Sequence, residues 1–205
     1  MAFSKISLIN DALTHLGADR ITALTDGSTE AGVMAQIYDG VVDSVIRAFP
    51  WNCLINRTQL VASTTTPSWK FDYAYPLPTD PYCVRVLEME ETTSIDRWKV
   101  EGRNILTDAS TCKIRYVGRP ADVGDIDGLL AATISARLAA DAAFALIQSN
   151  TMQQNMWGLY QQKLDEARTV DNVEQSRNEF RSTHLEEVRL GTSGDNGVRI
   201  GRAWW

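Results

Sequence analysis

Apolar residues recur at three- and four-residue spacings through the first fifty positions, which is the period of an amphipathic helix. Ser4 and Ser28 stand where helix N-caps are needed, and Gly17 can supply the left-handed residue that ends the first helix. The pattern predicts helices over residues 4–16 and 28–49. The apolar stripe of the first helix is Ile6, Ile9, Leu13 and Leu16.

From residue 52 the period changes from helical to two. Aromatic residues alternate with polar or small residues over 69–75, and prolines then divide the sequence into short strand-like segments up to Val117. The pattern predicts one small antiparallel β-sheet over residues 52–117. The alternating aromatic residues are Trp69, Phe71, Tyr73 and Tyr75.

Two long helices are predicted in the C-terminal half, over residues 126–149 and 152–180. The first is rich in Ala and Leu, and it would be about 36 Å long at 1.5 Å per residue. We therefore expect an α+β fold that is mainly α, a bundle of two N-terminal and two long C-terminal helices with the small sheet inserted between them. Residues 1–190 would form one domain, and residues 191–205 an extended tail.

Composition narrows the function classes. A net charge of −6 and a pI near 5.0 argue against a surface that holds nucleic-acid backbones. No stretch is expected to reach the roughly 20 apolar residues of a membrane span, and the first residues lack the pattern of a signal peptide, so we expect no membrane contact and synthesis in a cytoplasm. Cys53, Cys83 and Cys112 are widely spaced and odd in number, which favours buried thiols over disulfides.

Residue patterns for catalysis or cofactor binding are missing from the sequence. His15 and His184 have no Cys, Asp or Glu at the spacing of a zinc site. There is no phosphate-binding GxxxxGK[ST] loop and no GxSxG nucleophile motif. We therefore expect a protein that is not an enzyme and that carries no catalytic residues, cofactor or metal.

Four stretches occur in an order and spacing that resemble a known family. They are Ile9-Asn10-Asp11-Ala12-Leu13 through Leu16-Gly17, Phe49-Pro50-Trp51-Asn52, Tyr73-Ala74-Tyr75-Pro76-Leu77-Pro78-Thr79-Asp80 followed by Arg85-Val86-Leu87, and Ala136-Arg137-Leu138-Ala139-Ala140. Over roughly residues 4–180 the chain resembles the head-to-tail adaptor family of tailed bacteriophages, the tail tubular protein A (gatekeeper-like) family.

The resemblance implies a structural virion protein at the head-tail junction. Members form rings, typically of twelve subunits, that join the portal to the tail and surround part of the DNA channel. The implied partners are other copies of the chain, the portal protein, a tail or nozzle protein, and double-stranded DNA that passes through without specific binding.

Two segments are candidates for these contacts. Small side chains around the helix over 126–149 would be exposed and would let the helices of neighbouring subunits approach closely; they are Ala131, Ala132, Ser135, Ala139 and Ala143. The tail combines apolar, basic and tryptophan residues, the types enriched at binding hot spots, and is predicted to dock on the portal unless it folds back on its own domain. The tail residues are Val198, Arg199, Ile200, Arg202, Trp204 and Trp205.

Two alternative functions remain. A neck or tail-completion protein at another level of the same stack would have the same sequence features. In a different class, the aromatic residues over 69–75 would form an exposed platform on which carbohydrate or single-stranded nucleic acid stacks. Against the platform, only Lys70 is interleaved as a basic residue, and alternating aromatics are typical of the inner face of a sheet.

Overall fold

The N-terminal helices begin and end at the predicted caps in the computed structural model, which describes residues 3–90 and 97–174. Helix α1 spans Lys5–Leu16, with the Ser4 hydroxyl accepting a hydrogen bond from the Ser7 N–H and Gly17 left-handed at φ 69°. Helix α2 spans Thr29–Ala48, and its Ser28 cap accepts from the Ala31 N–H. Both predicted helices are confirmed to within one residue at each end.

The two C-terminal helices are α3 (Gly128–Ile147) and α4 (Asn150–Glu174). Helix α3 is the centre of the helical core, because it packs against α1, α2 and α4. Its N-cap is Asp127, whose carboxylate accepts from the Leu129 N–H at 2.9 Å. The last part of the predicted fourth helix, residues 175–180, lies outside the described residues.

The described residues of the β-region form two three-stranded antiparallel sheets, so the prediction of a single sheet is wrong. The described strands are β1 (Ile55–Leu60), β2 (Tyr73–Pro76), β3 (Cys83–Met89), β4 (Trp98–Glu101), β5 (Asn104–Thr107) and β6 (Cys112–Gly118). The first sheet has the order β1-β6-β3 and the second the order β2-β5-β4. The mixed helix and strand class is confirmed.

Burial along β6 shows how the sheets are layered. Ile114 and Tyr116 belong to a small core shared with β2, β3 and β5, whereas Val117 belongs to the helical core. Successive side chains of a strand point to opposite faces, so the second sheet covers one face of the first, whereas the helices cover the Val117 end of the other face and leave Lys113 exposed. Alternation of apolar and polar residues identifies strands but not which strands pair, so it does not predict the division into two sheets.

Helix α3 also corrects the expectation that no stretch could span a membrane. It has 20 residues and a mean hydropathy of 1.6, so by length and composition it could span a membrane. In its most apolar window 61% is buried inside the protein. A helix that is apolar around most of its circumference is typical of a protein core as well as of a membrane span. Because α1, α2 and α4 pack on it, α3 has the surroundings of a core helix.

The cysteines are free thiols in two different environments. Cys83 and Cys112 are buried, as predicted, and burial raises the pKa of Cys112 to about 11. Cys53 is exposed, so the prediction of three buried thiols is wrong at this position. Cys53 lies in the short 3-10 helix between α2 and β1, outside the two cores.

Candidate functional site

The connection between β1 and β2, residues 61–72, carries two of the most exposed apolar side chains in the described chain. Val61 is 84% exposed and Trp69 is 76% exposed. Large apolar groups exposed at a surface are a feature of interaction sites, because leaving them in water is unfavourable. We call this segment the 61–72 loop.

One backbone hydrogen bond and one residue of unusual conformation shape the path of the 61–72 loop. The Ser63 N–H donates to the Ala74 carbonyl at 2.7 Å, which holds the start of the loop beside β2. Lys70 adopts φ 74°, a left-handed conformation that is uncommon outside glycine and costs of order 1 kcal/mol. Its ammonium lies 5.8 Å from the centre of the Trp69 ring. The exposed indole is thus the neighbour of a strained and positively charged residue.

A cavity of about 340 Å³ separates the loop from the second sheet. Trp69 and Phe71 supply aromatic surface, and Lys99 and Asn104 of the sheet face them from β4 and β5. Lys99 is paired with Glu101 at 2.8 Å. The loop side adds hydroxyl groups from Ser63, Thr65, Thr66 and Ser68. The cavity therefore combines one open aromatic surface with many neutral hydrogen-bonding groups.

The four alternating aromatic residues do not form one face. Only Tyr73–Pro76 is a strand, because the left-handed backbone at Lys70 interrupts the extended chain. Tyr75 is 1% exposed, its hydroxyl donates to the Ala109 carbonyl at 3.0 Å, and burial raises its pKa. Trp69 lies on the surface. A strand through Trp69 and Phe71 is therefore a wrong prediction, whereas an inward-facing aromatic is found at Tyr75.

The small residues of α3 are not exposed as the sequence suggested. Four of the five are at most 1% exposed and belong to the interior of the helical body, while Ala132 is partly exposed. Their small size lets α1, α2 and α4 of the same chain pack closely on α3. The expectation of exposure is wrong for Ala131, Ser135, Ala139 and Ala143, because the sequence alone did not show that three helices surround α3.

The predicted docking residues of the tail lie outside the described residues, and the structure bears on none of them. These residues are Val198, Arg199, Ile200, Arg202, Trp204 and Trp205. Their docking on a portal stays a prediction.

Several residues of the four stretches that carry the family resemblance connect distant parts of the chain. The Asn52 backbone N–H donates to the Asp171 carboxylate at 3.0 Å, and its side-chain amide donates to the Asp171 carbonyl at 2.8 Å. Asn10 holds the chain after α1 in the same way, with two 2.9 Å hydrogen bonds to the backbone of Ile21. These side chains fix the connections between elements, and sequence reasoning had assigned them no role.

Arg137 links α3 to α4. Its guanidinium lies 4.3 Å from the centre of the Trp157 ring and 5.1 Å from that of Tyr160, and it pairs with Asp141 at 3.0 Å. Cation–π contacts of this kind add about 0.5–2 kcal/mol each to the packing of a guanidinium against an aromatic ring. The residues around Arg137 therefore stabilise the packing of α3 against α4.

Within residues 3–90 and 97–174, no three His, Cys, Asp or Glu side chains are grouped to hold a metal ion. His15 is in the last turn of α1, and His184 lies outside the described part of the chain. No family model matches this sequence, and no curated protein matches it.

Proposed function

We propose that the protein is a structural subunit of a tailed bacteriophage, an adaptor that assembles into a ring between the portal and the tail and surrounds part of the DNA channel. The observation that carries the proposal is that one connection, the 61–72 loop, exposes both Val61 and Trp69. Such a pair favours a protein that completes its surface by contact with other chains.

The size of the expected effect follows from the exposed indole. A tryptophan side chain can bury up to about 250 Å², and Trp69 retains 76% of its accessible surface. Covering this area would contribute about 4–5 kcal/mol at about 25 cal/mol per Å², before the cost of ordering the contact. One such residue is enough to be a hot spot in a subunit interface.

The architecture supports a scaffold. The chain has the order helix, helix, strands, helix, helix, and the family-like residues Asn10, Asn52 and Arg137 all stabilise joints between these elements. A ring needs a heterologous interface, in which one face of a subunit binds a different face of the next. With the small residues of α3 buried, the 61–72 loop is the stronger candidate for one of these faces.

The experiment is native mass spectrometry with negative-stain imaging of the protein, alone and after mixing with the portal ring of the same virion. We expect closed rings, twelve subunits by the family resemblance, with the portal providing a template where the free subunit is monomeric. The double variant Val61→Ser/Trp69→Ser should weaken ring formation by at least about thirtyfold, the effect of a 2 kcal/mol hot spot.

The matched control is Val173→Ser in α4, since Val173 is 80% exposed and lies outside the loop. It should assemble as the unchanged protein does. A protein that stays monomeric with the portal present, or a double variant that assembles normally, would contradict the proposal. Imaging of the whole virion separates an adaptor next to the portal from a neck or tail-completion protein at another level.

The second candidate function is binding of carbohydrate or single-stranded nucleic acid at the 61–72 loop. The observation in its favour is the exposed Trp69 beside a cavity lined by hydroxyl and amide groups. Stacking on one aromatic ring is worth about 1–3 kcal/mol per base. Titration of tryptophan fluorescence with oligosaccharides and oligonucleotides tests it: saturable quenching that Trp69→Ser abolishes supports binding, and its absence supports the scaffold.

A further inference from the structure

A second cavity, of about 550 Å³, lies between α2, β3 and the turn that joins β4 to β5. Its lining includes Arg47 from α2, Arg85 from β3 and Arg103 from the β4–β5 turn. We call it the arginine cleft. Three guanidinium groups at one cleft are unexpected in a chain whose net charge is −6, and the 61–72 loop takes no part in it.

Arg103 is held rigidly at the edge of the cleft. Its two terminal nitrogens donate to the backbone carbonyls of Cys83 and Pro78, each at 2.9 Å. The guanidinium carbon also lies 4.0 Å from the centre of the Tyr82 ring. Carbonyl groups and an aromatic ring orient the guanidinium without cancelling its charge, so Arg103 presents a fixed positive group to the cleft.

Arg47 and Arg85 are more accessible. Arg47 uses one terminal nitrogen to donate to the Val84 carbonyl at 2.7 Å, which leaves its other N–H groups for a ligand. The Arg85 side chain is exposed and bonds to no residue of the described chain. The two side chains approach the cleft from α2 and β3, so a ligand between these elements can meet both.

The charge of the cleft is not balanced by its own carboxylates. Asp43 is the sole carboxylate among the described residues that line it, and it forms a two-point ion pair with Arg119, with the Nε to Oδ1 distance at 2.8 Å. Of the acidic residues next to the cleft in sequence, Glu88 pairs with Arg115 and Glu101 pairs with Lys99, whereas Asp80 forms no ion pair within the described residues. A positive cleft with low-dielectric walls concentrates its field on an incoming anion.

We propose that the arginine cleft binds an acidic segment of a partner protein, in which one or more Asp or Glu residues stand beside apolar side chains. The planar guanidinium group matches a carboxylate through two parallel hydrogen bonds. The remaining lining is largely apolar and includes Leu77, Val86 and Val100, with Val100 40% exposed. Flanking apolar side chains of a peptide would cover these residues.

A nucleic-acid backbone fits the same cleft less well. Phosphate binding by a polyanion gains its strength from many basic contacts along an extended surface, whereas three arginines are gathered here in one cavity. The apolar residues of the lining would remain uncovered against a phosphate chain. The net charge of the protein also repels a long polyanion.

The test begins with selection of a random dodecapeptide display library on the immobilised full chain. We expect enrichment of sequences with Asp or Glu next to Leu, Ile, Val or Phe. The most enriched peptide is then synthesised with a fluorophore, and its affinity is measured by anisotropy. Arg85→Gln should weaken binding at least about tenfold, because it removes a charged hydrogen-bonding group, and Arg47→Gln/Arg85→Gln should weaken it further.

The matched control is Arg57→Gln, which removes an exposed arginine from β1 that does not line the cleft. It should bind the peptide as the unchanged protein does. Thermal melting of all variants checks that the fold is intact, which is expected because the Arg85 side chain makes no hydrogen bond to the described residues. Equal binding by Arg57→Gln and Arg47→Gln/Arg85→Gln, or enriched sequences without acidic residues, would overturn the proposal. Inorganic phosphate or a 12-mer oligonucleotide that binds more tightly than the peptide would overturn the assignment to a protein partner.

Discussion

Replacing Ala139 by Leu distinguishes the two roles that the small residues of α3 could have. Ala139 is fully buried in the helical core. The structure predicts that a larger side chain at this position destabilises the isolated subunit. If α3 were exposed and packed only against a neighbouring copy of the chain, the variant would instead be stable on its own and fail to assemble. Ala145 lies on the same helix, is exposed, and provides the same substitution as a control.

The magnitude follows from the packing around α3. Leu adds three carbon atoms to a site with no accessible surface, and forcing extra carbons into a close-packed core costs about 1–3 kcal/mol or more. For a chain of this size each kcal/mol lowers the melting temperature by about 2–4 °C, so Ala139→Leu should melt about 2–12 °C below the unchanged protein. Ala145→Leu should stay within about 0.5 kcal/mol. Ala and Leu have similar helix propensities, so the difference in stability between the two variants reports side-chain packing rather than helix propensity.

Circular dichroism at the helix band, recorded during heating of the isolated subunit, measures the difference. The two variants should unfold in single transitions at clearly separated temperatures. If Ala139→Leu melts within about 2 °C of Ala145→Leu, α3 is not enclosed by helices of its own subunit. In that case Ala139→Leu should be examined for loss of the proposed ring assembly, and the proposal that the 61–72 loop forms an interface would need revision.

Three further predictions concern the chain outside α3. The pKa of Asp26 is lowered by hydrogen bonds from the backbone N–H groups of Ala23 and Thr22. Asp26→Ala should therefore lower the melting temperature at pH 7, and the difference should shrink as pH falls below the ordinary value of 3.8 through the lowered pKa of the folded state; a difference that grows in acid would refute this. Iodoacetamide should alkylate Cys53 in the native protein and the two buried thiols only after unfolding, as peptide mass mapping would show. Asn52→Ala removes one amide hydrogen bond to α4 and should cost about 1 kcal/mol in chemical unfolding, with no change in far-UV dichroism.

The helices could be predicted from sequence because their signals are local. Ser4, Ser28 and Gly17 act on backbone groups within four residues, and the apolar stripes need only the helical period. The division of the strands into two sheets depends on pairings between residues far apart, such as Ile55 with Val117, which no local pattern contains. The burial of the small residues in α3 was missed for the same reason, since it depends on three other helices.

The candidate sites show a further limit of sequence reasoning, which concerns charge. A net charge of −6 predicts a surface that repels anions, yet Arg47, Arg85 and Arg103 come from three separate elements and meet at one cleft. Net charge is a sum over the whole chain, whereas binding depends on the charges within roughly one Debye length of a site, about 8 Å at physiological salt. An acidic chain can therefore hold an acidic ligand where its carboxylates are already paired, as Asp43 is with Arg119. The long-range repulsion would then favour a short acidic segment over a polyanion, because only the short segment fits inside the local positive field.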